Sequence, residues 1–292
     1  MYELVPVGEH TYYIDCPAKI GIVRTENGVY LIDSGGDKDT GKRIRRILEQ
    51  NGWPLLGILN THSHADHIGG NRYLQEQTGC KIFSGGIEAD FIRRPILEPS
   101  FLYGGFPPDD LRHKFLLAQE STVTDFSDPA FPKEIEILPL PGHSFDMVGF
   151  RTPDNVVFLA DCVNSPATLE KYGVFFLYDV EAFLSTLDRV EQMNAALFIP
   201  SHAEPAADCK ELVRLNREKV REIGDRIVSL CAQPCTIEEL LSRLFSAYDL
   251  TMTFQQHALV GSTLRSYLTW LKRNGRLTAQ IQDHSLLWQA VN

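Results

Sequence analysis

An α/β body over residues 1–206, followed by a helical module over residues 207–292, is the architecture this sequence predicts. Three observations predict it. Up to about position 206, short apolar runs alternate with amphipathic helical stretches, and several of those runs end in His or Asp. Beyond it, three helical stretches follow one another and close on a hairpin-like pattern. Between the second strand-like run and the helix after it lies Thr61-His62-Ser63-His64-Ala65-Asp66-His67-Ile68-Gly69-Gly70-Asn71, the densest cluster of ligand-type side chains in the chain.

The elements that carry function follow in chain order. Val29-Tyr30-Leu31-Ile32 reads as a strand that ends in Asp33-Ser34-Gly35. Residues 55–60 read as a buried strand and residues 71–77 as a helix start, so the cluster between them sits on a strand-to-helix loop, where a rigid scaffold can present side chains. Three imidazoles and a carboxylate within six positions carry a large desolvation and repulsion cost unless a cation binds them, and neutral imidazole with carboxylate suits zinc, iron or manganese. Residues 134–138 alternate like a half-buried strand and lead to Pro141-Gly142-His143-Ser144. Residues 156–161 are an apolar run ending in Asp161, and residues 196–202 another ending in His202.

His-x-His-x-Asp-His followed by Gly-Gly, after an apolar strand, resembles the signature of the metallo-β-lactamase superfamily. The later His143, Asp161 and His202 match the order of that family's remaining ligands. The resemblance implies a four-layer αββα sandwich, two mixed sheets packed together with helices outside. It also implies two divalent metal ions, zinc first, with iron or manganese as alternatives. His62, His64 and His143 would hold one; Asp66, His67 and His202 the other; Asp161 would bridge them. Each site then keeps an open position, as catalytic sites do. A water or hydroxide between two cations becomes a nucleophile near neutral pH, and Asp66 is the residue also assigned to catalysis. The strand-ending Asp33 is expected to orient the metal loop without touching metal.

The departures narrow the branch. The bridging position is Asp161, where zinc β-lactamases of the commonest subclass place a Cys in the second site; Cys162 next to it should face the other way. Position 64 is His, where the oxygen-reducing diiron relatives have Glu. Both point to hydrolases resembling glyoxalase II (hydroxyacylglutathione hydrolase), lactonases and ribonuclease Z.

Composition fits such a body. The apolar fraction is 43%, and no stretch approaches the roughly 20 apolar residues of a membrane helix. The start Met-Tyr-Glu-Leu-Val-Pro lacks a basic n-region and an apolar h-region, so a cytoplasmic location is expected. The six cysteines show neither a disulfide framework nor a C-x-x-C motif. The net charge of −10 argues against a general polyanion binder. It is unevenly spread: residues 207–292 hold 11 basic and 9 acidic side chains, a net of +2, which leaves 17 basic and 29 acidic in residues 1–206, a net of −12.

In the C-terminal module, residues 207–232 read as one long helix stopped by Pro234. Thr236-Ile237-Glu238-Glu239 is a capping box that opens a second, and residues 253–274 form a third, with Gly275 after its end. Residues 276–281 and 285–289 alternate like a terminal hairpin. Helix, helix, helix, hairpin is similar to a winged helix, a module some family members carry. Its third helix offers only Arg265, Lys272 and Arg273 as cations, so packing, a pocket wall or a homodimer contact is the leading reading and nucleic-acid binding the minor one.

Residues 86–132 exceed a simple connection and are expected to act as a lid. Candidate substrate contacts are Arg93 and Arg94 for an anionic group, Tyr103 in a turn-rich aromatic segment, Tyr172 downstream of Asp161, and Asp146, which is either a solvated loop residue or a substrate contact. The expected activity is hydrolysis of a small thioester, ester or lactone at a dinuclear metal centre, with a small-molecule substrate as partner. The alternatives are phosphodiester cleavage of RNA or DNA with the C-terminal module binding the strand, a mononuclear iron persulfide oxygenase, and a ligand-sensing DNA-binding regulator.

Overall fold

The computed structural model describes residues 2–291. The first seven strands pair in sequence order. They are β1 (Glu3–Pro6), β2 (Thr11–Asp15), β3 (Ile20–Thr25), β4 (Gly28–Ile32), β5 (Leu55–Leu59), β6 (Lys81–Phe83) and β7 (Val123–Thr124). β1 to β4 form an antiparallel meander, and β4 to β7 run parallel. The parallel half needs crossovers, which are α1 (Lys38–Asn51), then α2 (Ala65–Ile68) with α3 (Asn71–Thr78), then α4 (Gly86–Arg93) with α5 (Leu97–Tyr103). A second sheet has the order β11-β10-β9-β8, from β8 (Glu136–Pro139), β9 (Val148–Arg151), β10 (Val156–Ala160) and β11 (Leu197–Pro200). α6 (Pro166–Tyr172) and α7 (Val180–Gln192) connect its parallel pair.

Side-chain alternation explains why the two sheets face each other. On β4, Val29 and Leu31 point outward to Ile44, Leu48 and Leu74 of the helices, while Ile32 points inward. On β10, Val156 and Phe158 point inward, while Val157 and Leu159 point outward to Phe183 and Leu187 of α7. The inner layer joins Val23, Ile32, Leu59 and Phe83 of the first sheet to Phe150, Val156, Phe158 and Ile199 of the second. The result is helix, sheet, sheet, helix, the αββα sandwich that the sequence implied. No helix among the described residues is long and apolar enough to cross a membrane.

The C-terminal residues fold as α8 (Lys210–Leu230), α9 (Ile237–Ala247), α10 (Phe254–Arg273) and a hairpin of β12 (Leu277–Gln282) with β13 (Ser285–Ala290). The capping box at Thr236 and Glu239 forms with both of its hydrogen bonds. The order matches the expected helix, helix, helix, hairpin, but nothing in the arrangement is diagnostic of a winged helix. α10 packs against α5, α7, α8, α9 and β12. Its apolar side and those of α8 and α9 share one continuous core with the outer face of the second sheet. We therefore expect Ile223→Ala, a fully buried α8 substitution, to cost about 2–5 kcal/mol. Urea unfolding followed by tryptophan fluorescence and by circular dichroism should give coincident transitions; a separate early transition of the C-terminal helices would contradict the shared core.

Candidate metal centre

The ligand-type residues meet at one end of the sandwich, where the C-terminal ends of β4, β5, β8, β10 and β11 deliver loops. The loop after β5 is bent tightly. A Cβ on Gly69 would lie 2.2 Å from the carbonyl carbon of Gly36, and one on Gly70 2.4 Å from the carbonyl oxygen of Ser34. Only glycine lets the His62–His67 turn close against the loop after β4. β10 ends in Ala160 with φ 50°, beside a register shift against β11. This kink sends Asp161 into the cluster, while Cys162 is buried among the outer apolar residues, as its neighbouring position predicted.

Two groups of donors form around one carboxylate. His62 Nε2 and His143 Nε2 lie 3.1 Å and 3.0 Å from His64 Nδ1. His202 Nε2 lies 3.2 Å from Asp66 Oδ2, and His67 Nε2 3.7 Å from the same oxygen. Asp161 stands between them, with Oδ2 3.5 Å from His143 Nε2 and 3.3 Å from His202 Nε2, and Oδ1 3.2 Å from His67 Nε2. The trios His62, His64, His143 and Asp66, His67, His202 are each compact enough to hold one ion, as are His62, His67 and Asp161. His67 Nε2 and Asp161 Oδ1 are fully buried, yet neither makes a hydrogen bond of acceptable geometry. Buried polar atoms left unpaired are costly, and a cation between them satisfies both. The donor set of imidazoles and carboxylates fits zinc, iron or manganese.

The outer nitrogens are pinned from behind. His67 Nδ1 lies 2.8 Å from Asp33 Oδ2; a carboxylate only accepts, so Nδ1 carries the proton and Nε2 faces the cluster. His202 Nδ1 is fixed in the same way, 3.0 Å from the carbonyl of Pro17. Asp33 also accepts from the Thr61 backbone N–H and the Thr61 hydroxyl, both at 2.8 Å. It adopts φ 64°, an unusual backbone for a non-glycine residue, and is almost fully buried. Its carboxylate spends its acceptor capacity on the loop and contacts the cluster only through His67.

Glu88 plays a parallel part that the sequence reading missed. Buried in α4, it accepts from the Ser63 N–H at 2.9 Å and the Ser63 hydroxyl at 2.6 Å with one oxygen. With the other it accepts from the Ser144 hydroxyl at 2.7 Å and the Asp146 N–H at 3.1 Å. It therefore ties the loop of His62 and His64 to the loop of His143. Glu98 of α5 is also buried, with Oε1 3.6 Å from His64 Nε2. A signal was present in both cases. Glu88 shares its helical face with buried Phe91 and Ile92, and Glu98 with buried Leu102, and an acid on an apolar face needs a reason.

The other candidate contacts separate. Tyr172 lines the mouth of the cavity above the cluster. Arg93 lies elsewhere, bonded to Asp90 and the carbonyl of Val123, and Arg94 is an exposed residue at the end of α4. Tyr103 lines a neighbouring cleft beside Phe101 and Arg265. Asp146 accepts from the Ile87 N–H at the start of α4, so its carboxylate is engaged in holding a helix end. The helical start of the 86–132 segment turned Arg93, Arg94 and Tyr103 away, a placement that composition does not reveal.

Electrostatics divide the two groups. Burial holds His62 well below its ordinary pKa, and holds His64 and His143 near 4, so all three are neutral with lone pairs free. Burial also opposes charge on His67, but Asp161, Asp66 and Asp33 outweigh it and raise the imidazole. Asp161 raises His202 to about 10.

These folded-state features define a protein class: an αββα sandwich with a His- and Asp-lined centre at one end. The family model "Metallo-beta-lactamase superfamily" matches residues 13–202, and the chain belongs to that superfamily. It is 21% identical over 262 residues to a linear primary-alkylsulfatase of Pseudomonas sp., covering 76% of this chain and 49% of that protein. It is 27% identical over 191 residues to a hydroxyacylglutathione hydrolase of Cereibacter sphaeroides, covering 63% and 64%. The chain thus spans about half to two thirds of the length of these relatives. The crystal structure of a beta-lactamase domain protein from Burkholderia ambifaria shares the fold with a TM-score of 0.71 at 18% identity, over 99% of this chain and 94% of that one. That likeness takes in the C-terminal helices and hairpin as well as the sandwich.

Two outcomes are expected here. Asp33→Asn and Glu88→Gln each place an amide N–H among donors, so each should weaken metal binding by about 10–100-fold with circular dichroism unchanged. Competition with a chromophoric chelator measures this, and wild-type affinity in both variants would remove their positioning role. The second outcome concerns pH. Raised imidazoles carry protons at pH 7 that a metal must displace, so affinity should fall as pH drops from 8 to 6, with about one to two protons released per chain. Calorimetry in buffers of different ionisation heat reads that number; a pH-independent affinity would contradict it.

Proposed function

We propose that the chain is a metal-dependent hydrolase of small acyl substrates: a thioester, ester or lactone. The observation that carries this reading is the shared carboxylate of Asp161 between two donor trios that border one cavity of about 550 Å³. That volume lies in the range of small-molecule sites. His62, His64 and His143 would hold one divalent ion, and Asp66, His67 and His202 the other, with Asp161 serving both. When bound, the ions supply Lewis acidity toward the carbonyl oxygen and water made nucleophilic at neutral pH.

The chain's own residues do the rest. Asp33 and Glu88 hold the two ligand loops in register, so little reorganisation accompanies reaction. The carboxylate of Asp66 is half exposed to the cavity, next to His202. In this reading Asp66, besides binding the ion through one oxygen, takes up the proton of the attacking water and passes it on to the departing sulfur or oxygen. One water is consumed, its oxygen joins the acyl carbon, and the carbon–sulfur or carbon–oxygen bond breaks. Phe115 and Leu116 of the 86–132 segment border the cavity and would limit the access of bulk water.

The hydroxyacylglutathione hydrolase relatives support an acyl reading, and the charge balance supports it over nuclease action. Residues 1–206 carry a net −12, which repels a polyphosphate far more than a small substrate. The test is a side-by-side assay of a thioester, a lactone, a bis-aryl phosphodiester and single-stranded RNA on one metal-replete preparation. We expect an acyl substrate to be fastest and Asp66→Asn to lower its kcat by on the order of 10²–10⁴. RNA turnover exceeding every acyl rate, and lost in His62→Ala, would replace the acyl reading with the nuclease one.

A further inference from the structure

The cavity beside the metal centre is lined by more apolar than charged side chains. Its floor is His64, Asp66, His143, Asp161 and His202. Its walls are mainly apolar, with Phe115 and Leu116 from the 86–132 segment, Phe175 and Phe176 from the turn after α6, and Leu259 and Val260 from α10, and their polar members are mostly uncharged. Phe176 packs edge-on to the rings of both His64 and His143, 5.4 Å and 5.7 Å between centroids, so the apolar wall begins directly at the ligands. α10 thus supplies part of the pocket as well as part of the core.

Charge is the discriminating property. A glutathione group carries two carboxylates and one ammonium. Among the described residues that line the cavity, Lys171 is the single lysine or arginine, and its Nζ sits 4.9 Å over the exposed ring of Tyr172 at the mouth. The nearby Lys114 is paired with Asp37 at 3.1 Å. Arg265 and Arg273 line a separate cleft together with Phe101 and Tyr178. The acidic wall residue, Glu98, cannot neutralise a carboxylate in either protonation state. Against two carboxylates the walls set one lysine at the mouth and the neutral donors Asn164, Thr168, Gln255, Gln256 and Thr263, too little positive charge to replace the hydration of both. An uncharged hydrocarbon group entering it gains burial at every methylene.

We propose that this cavity selects a substrate whose larger group is uncharged and apolar, an acyl or alkyl chain of medium length lying between Phe176 and Leu259, and that glutathione thioesters are excluded. The proposal rests on the acyl-hydrolase reading for the reaction, but the binding preference is a property of the walls alone.

The two are therefore tested apart. Calorimetric titration of the metal-loaded protein with octanamide, acetamide and S-methylglutathione reads the walls without turnover. Octanamide should bind more than tenfold tighter than either of the others, and Leu259→Lys should reduce that preference while improving S-methylglutathione. In a separate assay, kcat/KM for neutral acyl N-acetylcysteamine thioesters should rise about fourfold per added methylene until the cavity is filled. Preferential octanamide binding with no acyl turnover would uphold the pocket and defeat the hydrolase reading. S-Methylglutathione binding as tightly as octanamide would overturn the proposal even if thioesters are cleaved. Should Leu259→Lys fail to fold, the wild-type ranking of the three probes still decides.

Discussion

Seven nitrogen and oxygen donors converge on a volume a few ångströms across, and this crowding is the constraint the rest of the structure answers to. Neutral imidazole lone pairs face one another, and a buried carboxylate oxygen and a buried ring nitrogen lack hydrogen-bond partners. A fold does not tolerate that arrangement without a cation and without strong outer supports. Asp33, held in a left-handed backbone conformation at the end of β4, and Glu88, reaching in from α4, are those supports. Each carboxylate is turned away from the centre and grips loop backbone.

The sandwich makes the convergence possible. Two sheets packed through Phe83, Phe150 and Phe158 place five strand ends at one edge, so Asp66 and His202, 136 positions apart in sequence, meet at 3.2 Å. Strand-end distortions aim them: φ values of 64° at Asp33 and 50° at Ala160 occur where the chain leaves the sheets. The C-terminal helices complete the outer layer and reach the cavity through Leu259 and Val260, so one element serves both the core and the cavity wall.

Much of this was legible in the sequence because the relevant signals are local. Apolar runs ending in Asp33, Asp161 and His202 marked both strand and donor, and the capping box at Thr236 marked the start of α9. What was not legible depends on how long segments turn in space. Arg93, Arg94, Tyr103 and Asp146 were reasonable candidates by chemistry, yet α4 and α5 direct the first three to the surface or to a second cleft, and Asp146, from the loop after β8, is engaged at the start of α4. Glu88 and Glu98 were overlooked because a glutamate in a charged, helical stretch reads as solvated until its apolar neighbours at three and four positions are counted. The winged-helix likeness rested on element order alone, and order does not say which faces of α10 are covered.

The central claim is that the two donor trios and Asp161 form one dinuclear site. Elemental analysis of protein purified without added metal, combined with anomalous scattering from its crystals, tests it most directly. The account predicts two divalent ions per chain, one at each trio, with Asp161→Ala losing at least one of them. A single iron per chain, or no ion within ligand distance of these side chains, would contradict it.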